Sequence, residues 1–374
     1  MSSNQPLIKF FIFSAISLAL FLFLVNFADY FDFEFDKSPR WSIWRYNFDD
    51  TSQAKSTGKP LPKDYRPLQY EKKIGLKRLA DMNNIRKMNS HKLPNRSTNL
   101  TAEQLCSNSK ELTCMPPFKD FETELRAAKR FKISACVIQK SMSTVMTGII
   151  CYLHNAEKFV EANRDILKEW KQIRFCMFRN EFLSLKMMFR RYKMNSTAEG
   201  WKFLMVTRDP VDRFLSGFVD KCIRKPKEKL HYCNGCGANM TCFIIQEYAR
   251  MKKQVEQNNF YRSFEDRHFF PQNWRCNLGE FYDRYSFIRY SSDPSLTLME
   301  DLFQVLREQK VSDQNIQFIR DQLTRDRTAH STIHSEARTF MEDRLRSSPF
   351  LMEYIVRMFY QDFILFNYTL PTGF

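Results

Sequence analysis

The sequence predicts an α/β fold, because two short apolar runs are each followed by a polar loop and the start of a helix. The first unit consists of an apolar run at residues 133–138, a loop at 139–144 and an apolar helical stretch at 145–153. The second begins with the apolar run 202–207 and continues through Arg208 into helical sequence. We expect each apolar run to form a buried strand.

The N-terminus contains a segment long enough to cross a membrane. Residues 7–27 are apolar apart from Lys9, and an acidic patch follows them. A bilayer-spanning helix needs about 20 such residues, and a cation on one side favours that side for the cytosol. We predict a cytosolic tail at 1–6, a transmembrane signal anchor at 7–27 and a lumenal remainder. The alternative, a cleaved signal peptide, also places the body in the secretory pathway.

The cysteines and glycosylation sequons agree with that placement. The chain has ten cysteines and five Asn-x-Ser/Thr sequons, at Asn95, Asn99, Asn195, Asn239 and Asn367. Four of the cysteines cluster at Cys222, Cys233, Cys236 and Cys242, where a CxxC spacing also permits a zinc site. A lumenal loop favours disulfides, whose connectivity the sequence does not reveal.

The charge of the chain indicates its class of partner, and its composition indicates the domain boundaries. The formal net charge is +16, which favours an anionic partner. Residues 28–105 are rich in Lys, Arg and Pro and are predicted to form a stem, with the lumenal domain at 106–374 and a first helical stretch at 118–132. We expect no nucleic-acid partner.

The loop after the first strand has the residues of a phosphate site. Lys140 supplies charge, while Ser143 and Thr144 supply hydroxyls beside the amides of a helix start. The loop is not a Walker A motif, since GxxxxGK[ST] is absent. The alternative is an ordinary strand-to-helix turn capped by Ser143 or Thr144.

The loop after the second strand reads "TRDPVDRFLSG" and predicts another anion site. Asp209 suits the N-cap of a helix and Pro210 suits its first position. Arg208 precedes this helix, while Arg213 and Ser216 lie three residues apart on one face. An arginine, a hydroxyl and a helix N-terminus are then expected to converge on one phosphate.

Together these motifs resemble those of the Golgi carbohydrate sulfotransferases that use 3′-phosphoadenosine 5′-phosphosulfate (PAPS), including the chondroitin, HNK-1 and heparan 2-O enzymes. Arg-Asp-Pro-x-x-Arg-x-x-Ser at 208–216 is similar to the family's 3′-phosphate motif, and 140–144 occupies the place of its 5′-phosphosulfate loop. "HFFPQNWRC" at 268–276 and "FYQDFILFNY" at 359–368 extend the resemblance.

The resemblance implies a central, mostly parallel sheet flanked by helices, a P-loop-like sulfotransferase fold, with the donor at the carboxyl ends of the strands. It implies transfer of a sulfuryl group from PAPS to a glycan hydroxyl in the Golgi lumen, with no metal. Two rivals stay open: a catalytically inactive glycan-binding membrane protein and a lumenal nucleotide-dependent kinase. The predicted donor-binding residues are Lys140, Ser141, Met142, Ser143, Thr144, Arg208, Arg213, Ser216, His330, Ser331 and Thr332.

The predicted catalytic residues are Lys140 and His268. Lys140 is expected to stabilise charge on the leaving phosphate. His268 is the candidate general base, because imidazole titrates near neutral pH and Glu265 and Asp266 precede it. The alternative is a packed segment in which His268 only hydrogen-bonds to backbone. His330 is the other candidate base, but its neighbours favour a donor-contacting loop, to which it is assigned.

Overall fold

The computed structural model describes residues 81–94, 100–107, 112–169, 174–195, 197–224, 232–257, 263–290, 298–325 and 335–372. The predicted anchor at 7–27, most of the predicted stem and the predicted donor loop at 330–332 lie outside these stretches. No helix within the described residues is both long enough and apolar enough to span a bilayer.

The described strands form one mixed sheet in the order β3-β1-β2-β4-β5. β2, β4 and β5 are parallel, whereas β1 is antiparallel to both β2 and β3. The α/β class is therefore confirmed, but a mostly parallel sheet is right only for the half formed by β2, β4 and β5. The strands are β1 (Leu125–Ala128), β2 (Ile133–Cys136), β3 (Glu181–Phe182), β4 (Lys202–Arg208) and β5 (Tyr285–Tyr290).

The predicted helical stretch at 118–132 is wrong, because its centre forms β1. All four residues of β1 are buried, so no helical alternation of buried and exposed positions exists there. A short turn ending at Lys132, whose φ is 50°, leads directly into β2. Such a short connection permits only an antiparallel pair, since parallel neighbours need a long crossover.

Helices cover both faces of the sheet. Those of the described residues are α1 (Met82–Met88), α2 (Ala102–Ser107), α3 (Ser143–His154), α4 (Ala156–Glu161), α5 (Leu185–Tyr192), α6 (Pro210–Phe218), α7 (Met240–Gln257), α8 (Phe264–Phe269), α9 (Leu278–Phe281), α10 (Leu298–Glu308), α11 (Asp313–Arg325), α12 (Glu336–Arg346) and α13 (Pro349–Leu365). Leu204 and Val206 of β4 pack with α3, α10 and α11. Phe203 and Met205 face the other way, with α5 and α9. This alternation makes β4 apolar on both sides, as expected of a central parallel strand.

A third apolar cluster joins α6, α7, α8 and α13 beside the sheet. Gly217 on α6 lets α8 approach closely, since a Cβ there would lie 2.7 Å from the Phe269 ring. The cluster also contains Ile85 of α1 and Leu105 of α2, which are 4% and 1% exposed. Residues that the sequence analysis placed in the stem thus contribute to this core.

All ten cysteines form disulfides. The pairs are Cys106–Cys114, Cys136–Cys276, Cys151–Cys176, Cys222–Cys233 and Cys236–Cys242. The cluster at 222–242 is therefore disulfide-bonded as predicted. In the part of the chain that the structure describes, no group of three or more His, Cys, Asp or Glu side chains is arranged to hold a metal ion. The Cys136–Cys276 bond links the end of β2 to the segment that follows residues 272–274.

Candidate active site

The first predicted loop is a tight turn with two residues in the left-handed region. Lys140 has φ 70° and Met142 has φ 59°. Each such non-glycine residue costs on the order of 1–3 kcal/mol and persists only where its surroundings enforce it. Ser141 supplies that enforcement, because its N–H donates to the Ile138 carbonyl (3.0 Å) and its hydroxyl to Gln272 Oε1 (2.9 Å). Both donors of Ser141 thus hold the loop in place, and its predicted role in donor binding stays a prediction.

The start of α3 is open. Met142 is its N-cap residue and makes no side-chain capping bond, and the first turn contains no acidic residue. Ser143 and Thr144 lie inside the helix and are half-buried, so the alternative in which one of them caps it is wrong. The first amides of a helix lack internal partners and attract anions. These amides and the two hydroxyls form the first candidate anion site.

The second loop has the predicted strand, cap and helix. β4 ends at Arg208, Pro210 occupies the first turn of α6, and Asp209 Oδ1 accepts from the Asp212 N–H (2.9 Å). A carboxylate therefore already occupies this helix start. The expected contribution of the α6 N-terminus to an anion site is not available, and any such site here depends on side chains.

The two loops meet at one edge of the sheet, as predicted. β2 and β4 are parallel neighbours in register from Ile133↔Lys202 to Cys136↔Met205, so their carboxyl ends lie side by side. Arg208 Nη1 donates to the Lys140 carbonyl (3.1 Å), which ties one loop directly to the other.

Arg208 is a buried cation with little compensation. It is 5% exposed, and its guanidinium lies 4.8 Å from the centre of the Tyr290 ring. Its ion pair with Asp212 Oδ2 is long, at 3.9 Å, and the other oxygen of Asp212 accepts from Arg338 at 2.6 Å. Arg208 Nε has no hydrogen-bond partner among the described residues, and burial lowers the pKa of the group. This guanidinium is therefore suited to an incoming anion.

Arg213 and Ser216 lie on α6 as predicted but differ in their surroundings. Arg213 is 1% exposed and donates to the carbonyls of Gln139 (3.2 Å) and Phe270 (3.0 Å). Burial and the neighbouring Arg275 lower its pKa to about 9. Arg213 thus supports the first loop through the Gln139 carbonyl. Its Nη2 has no hydrogen-bond partner among the described residues and can donate to a ligand. Ser216, one turn further along α6, is 5% exposed.

Lys140 points at a pair of charged residues that the sequence analysis did not assign. Its ammonium forms an ion pair with Asp220 Oδ2, and Lys221 Nζ lies 2.9 Å from the same oxygen. Desolvation lowers the pKa of Lys140 to about 7, even though Asp220 acts in the opposite direction. The available signal was a charged pair inside the apolar run "GFVDKC", four residues after Ser216.

Gln272 and Asp362 bind the two loops together from beneath. Besides accepting from Ser141, Gln272 Oε1 accepts from the Arg208 N–H (3.0 Å), while its Nε2 donates to the Arg208 carbonyl (2.8 Å). Asp362 accepts from the Gln272 N–H (2.8 Å) and from Asn273. Both belong to the two later motifs, whose positioning role was not evident from sequence.

His268 lies in the last turn of α8 and is half-buried. The two acids before it anchor that helix: Glu265 accepts from the Cys233 N–H (2.8 Å), and Asp266 pairs with Arg250 (2.7 Å) while capping the helix start with Ser263. The assignment of His268 as general base stays a prediction. The same holds for 330–332.

Comparisons with known proteins identify the family of this chain. The model described as "Sulfotransferase family" matches residues 123–369. Two Caenorhabditis elegans relatives carry informative names. The putative sulfotransferase vep-2 is 42% identical over 71% of this chain and 83% of its own, and the carbohydrate sulfotransferase chst-1 is 33% identical over 68% and 78%.

A further relative from the same organism, the uncharacterized protein C18B2.2, is 43% identical over 90% of both chains. No solved structure matches this chain. The chain belongs to the sulfotransferase family, and its two joined loops lie inside the matched region.

Proposed function

We propose that this sulfotransferase takes the sulfuryl group from PAPS and transfers it to a hydroxyl of a glycan. The observation that carries the proposal is the pair of anion sites at one sheet edge, joined by the hydrogen bond from Arg208 to the Lys140 carbonyl. PAPS carries a phosphosulfate and a separate phosphate on one ribose. Two adjacent sites, each with its own buried cation, suit that pattern of charge.

The first site is proposed to hold the 5′-phosphosulfate. The open amides of α3 and the hydroxyls of Ser143 and Thr144 donate to its oxygens. Lys140 stabilises the negative charge that develops on the leaving phosphate. One such donor typically stabilises the transition state by about 3–4 kcal/mol. A buried ammonium is effective there because water does not screen it.

The second site is proposed to hold the 3′-phosphate. Arg208 offers an uncommitted Nε and a planar fork that matches phosphate oxygens. Ser216 adds a hydroxyl from α6, and the anion would relieve the cost of burying the guanidinium. The loop at 330–332 is proposed to complete donor binding, and His268 to accept the proton of the acceptor hydroxyl.

A glycan acceptor is proposed on two grounds. One relative is named a carbohydrate sulfotransferase. The chain also carries a net charge of +16, which suits acidic polysaccharide.

We further propose a Golgi membrane location with residues 7–27 as the anchor and the enzyme domain in the lumen. Five disulfides suit an oxidising compartment. Protease protection of tags placed at the two ends tests this orientation: only the C-terminal tag should survive in intact vesicles.

The activity is tested with the full chain produced in a secretory host and incubated with ³⁵S-labelled PAPS and chondroitin, heparan and N-glycan acceptors. Transfer of label to at least one acceptor is expected. If the chain binds 3′-phosphoadenosine 5′-phosphate but labels no acceptor, the inactive glycan-binding alternative replaces the proposal. Transfer of ³²P from ATP instead would indicate a kinase.

A further inference from the structure

α6 does not end as an ordinary helix. It continues into a π-helical turn, Val219–Ile223, which widens the backbone by one residue per turn. The turn places two consecutive charged residues, Asp220 and Lys221, in the interior, where they are 6% and 8% exposed. Consecutive charged residues on a regular surface helix rarely both face inward, and π turns occur frequently at functional sites.

These two residues meet the first loop across the sheet edge. Asp220 Oδ2 accepts from the ammonium groups of both Lys140 and Lys221. One carboxylate oxygen is therefore shared by two lysines, Lys140 from the first loop and Lys221 from the π-helical turn after α6. Arg208, at the end of β4, is the second cation that acts on Lys140, after Lys221.

Burial of these three side chains makes their protonation depend on one another. Lys140 has only 7% of its side chain exposed, so its ammonium needs a nearby anion to remain charged. If Lys140 moves to a donor phosphate, the buried Asp220 carboxylate loses a counter-charge, which is unfavourable. Lys221 limits that cost because it already contacts the same oxygen.

We propose that Asp220 and Lys221 are positioning residues for Lys140: Asp220 keeps its ammonium charged and in place before the donor arrives, and Lys221 retains Asp220 when Lys140 moves to the donor. Donor binding is then an exchange of ion-pair partners within a preformed cluster. This inference depends on the proposed role of Lys140 in sulfuryl transfer.

The two variants have opposite expected signs. Asp220 raises the pKa of Lys140 and Lys221 lowers it, around a value of about 7. Asp220→Asn should therefore shift the pKa of Lys140 down, so that the charged form is lost at lower pH. Lys221→Gln should shift it up, so that the charged form persists to higher pH.

The first measurement needs no turnover. In the donor-free full chain, acetic anhydride labels neutral amines, and mass spectrometry of the peptide containing Lys140 follows its labelling rate against pH. We expect a midpoint near 7 in the wild type, a lower midpoint in Asp220→Asn and a higher one in Lys221→Gln. Asp220→Glu, which keeps the charge, should restore most of the wild-type midpoint. Asp321→Asn, an exposed carboxylate on α11, is the control and should change nothing.

The second measurement separates the two roles. For Asp220→Asn, kcat/KM at pH 8 should fall at least about tenfold, with a smaller loss at pH 6, since one pKa unit is a tenfold change in protonation. For Lys221→Gln, the donor KM should rise, because Lys140 is then held more firmly by Asp220. Binding of 3′-phosphoadenosine 5′-phosphate establishes that each variant is folded.

The inference would be overturned if the labelling midpoint shifted in the same direction in both variants. It would also be overturned if the midpoint shifted in neither variant. If Asp220→Asn does not fold, the Lys221→Gln midpoint and KM decide alone. If the midpoints shift as expected but the wild-type chain transfers no sulfate, the cluster stands and the proposed function fails.

Discussion

The two loops of the site share one architecture but differ in backbone conformation and in how the following helix is capped. Both follow parallel strands and both lead into helices. The first has two left-handed residues and an uncapped helix start, whereas the second has a regular path and a helix start closed by Asp209. The first therefore offers backbone amides to an anion, while the second offers mainly the Arg208 side chain.

This difference indicates where each loop is stabilised. The second loop has its own helix cap and proline, in addition to the two bonds from Gln272 to the Arg208 backbone. The first depends on distant residues: Gln272 holds Ser141, Arg213 holds the Gln139 carbonyl, and Asp220 holds Lys140. A strained loop held by several distant side chains suits the reacting group, and a loop with its own helix cap suits a fixed phosphate.

The largest expected effect is in the first loop. Lys140→Ala should lower kcat by roughly a hundredfold to a thousandfold, the range for loss of one charge-stabilising donor, with a smaller change in donor KM. Steady-state kinetics with varied PAPS measure both. Lys186→Ala, an exposed lysine paired with Glu280, is the matched control. A change confined to KM would make Lys140 a binding residue only.

A similar loss of turnover is expected for substitution of a residue that lies outside both loops. His268→Ala should reduce turnover by about a hundredfold, as removal of a general base does. Affinity for 3′-phosphoadenosine 5′-phosphate, measured by calorimetry, should be unchanged because His268 is not assigned to donor binding. Near-normal turnover, or loss of nucleotide affinity, would remove His268 from the mechanism.

A selective effect is expected in the second loop. Arg208→Ala should weaken PAPS binding by roughly ten- to a hundredfold, the value of a charge-assisted hydrogen bond. Affinity for adenosine 5′-phosphosulfate, which lacks the 3′-phosphate, should barely change. Arg208→Lys should recover only part of the loss, since the fork is absent. Equal losses for both ligands would contradict the assignment.

The smallest effect separates capping from binding. Asp209→Ala should reduce the free energy of unfolding by about 0.5–2 kcal/mol, the usual cost of losing an N-cap, as measured by denaturant titration. PAPS affinity should not fall, because this carboxylate occupies the helix start in place of an anion. A large loss of affinity would show that Asp209 serves the donor directly.

The sequence predicted those parts of the fold that depend on local patterns. Apolar runs predicted β2 and β4, and the Asp-Pro pair predicted the start of α6. The prediction failed at β1, since a short buried strand that contains a buried Arg126 resembles a helix in a single sequence. Its antiparallel pairing depends on the short turn to β2.

For the site, the sequence predicted which loops meet but not what holds them. Lys140 and Arg208 were predicted because each is a cation between a predicted strand and a predicted helix, and the family resemblance includes both. Asp220 was missed because its partner lies 80 residues away and because a π turn changes which face of the helix it occupies. Gln272 was quoted as part of a motif, but its bonds to both loops depend on tertiary structure.

In the proposed function, one ligand occupies both loops. Calorimetry of the full chain with 3′-phosphoadenosine 5′-phosphate, adenosine 5′-monophosphate and adenosine 3′-monophosphate tests it directly. We predict that the bisphosphate binds at least about a hundredfold more tightly than either monophosphate, because each phosphate has its own charged partner. Equal affinity for the bisphosphate and the 5′-monophosphate would show that the second loop holds no phosphate and would contradict the account.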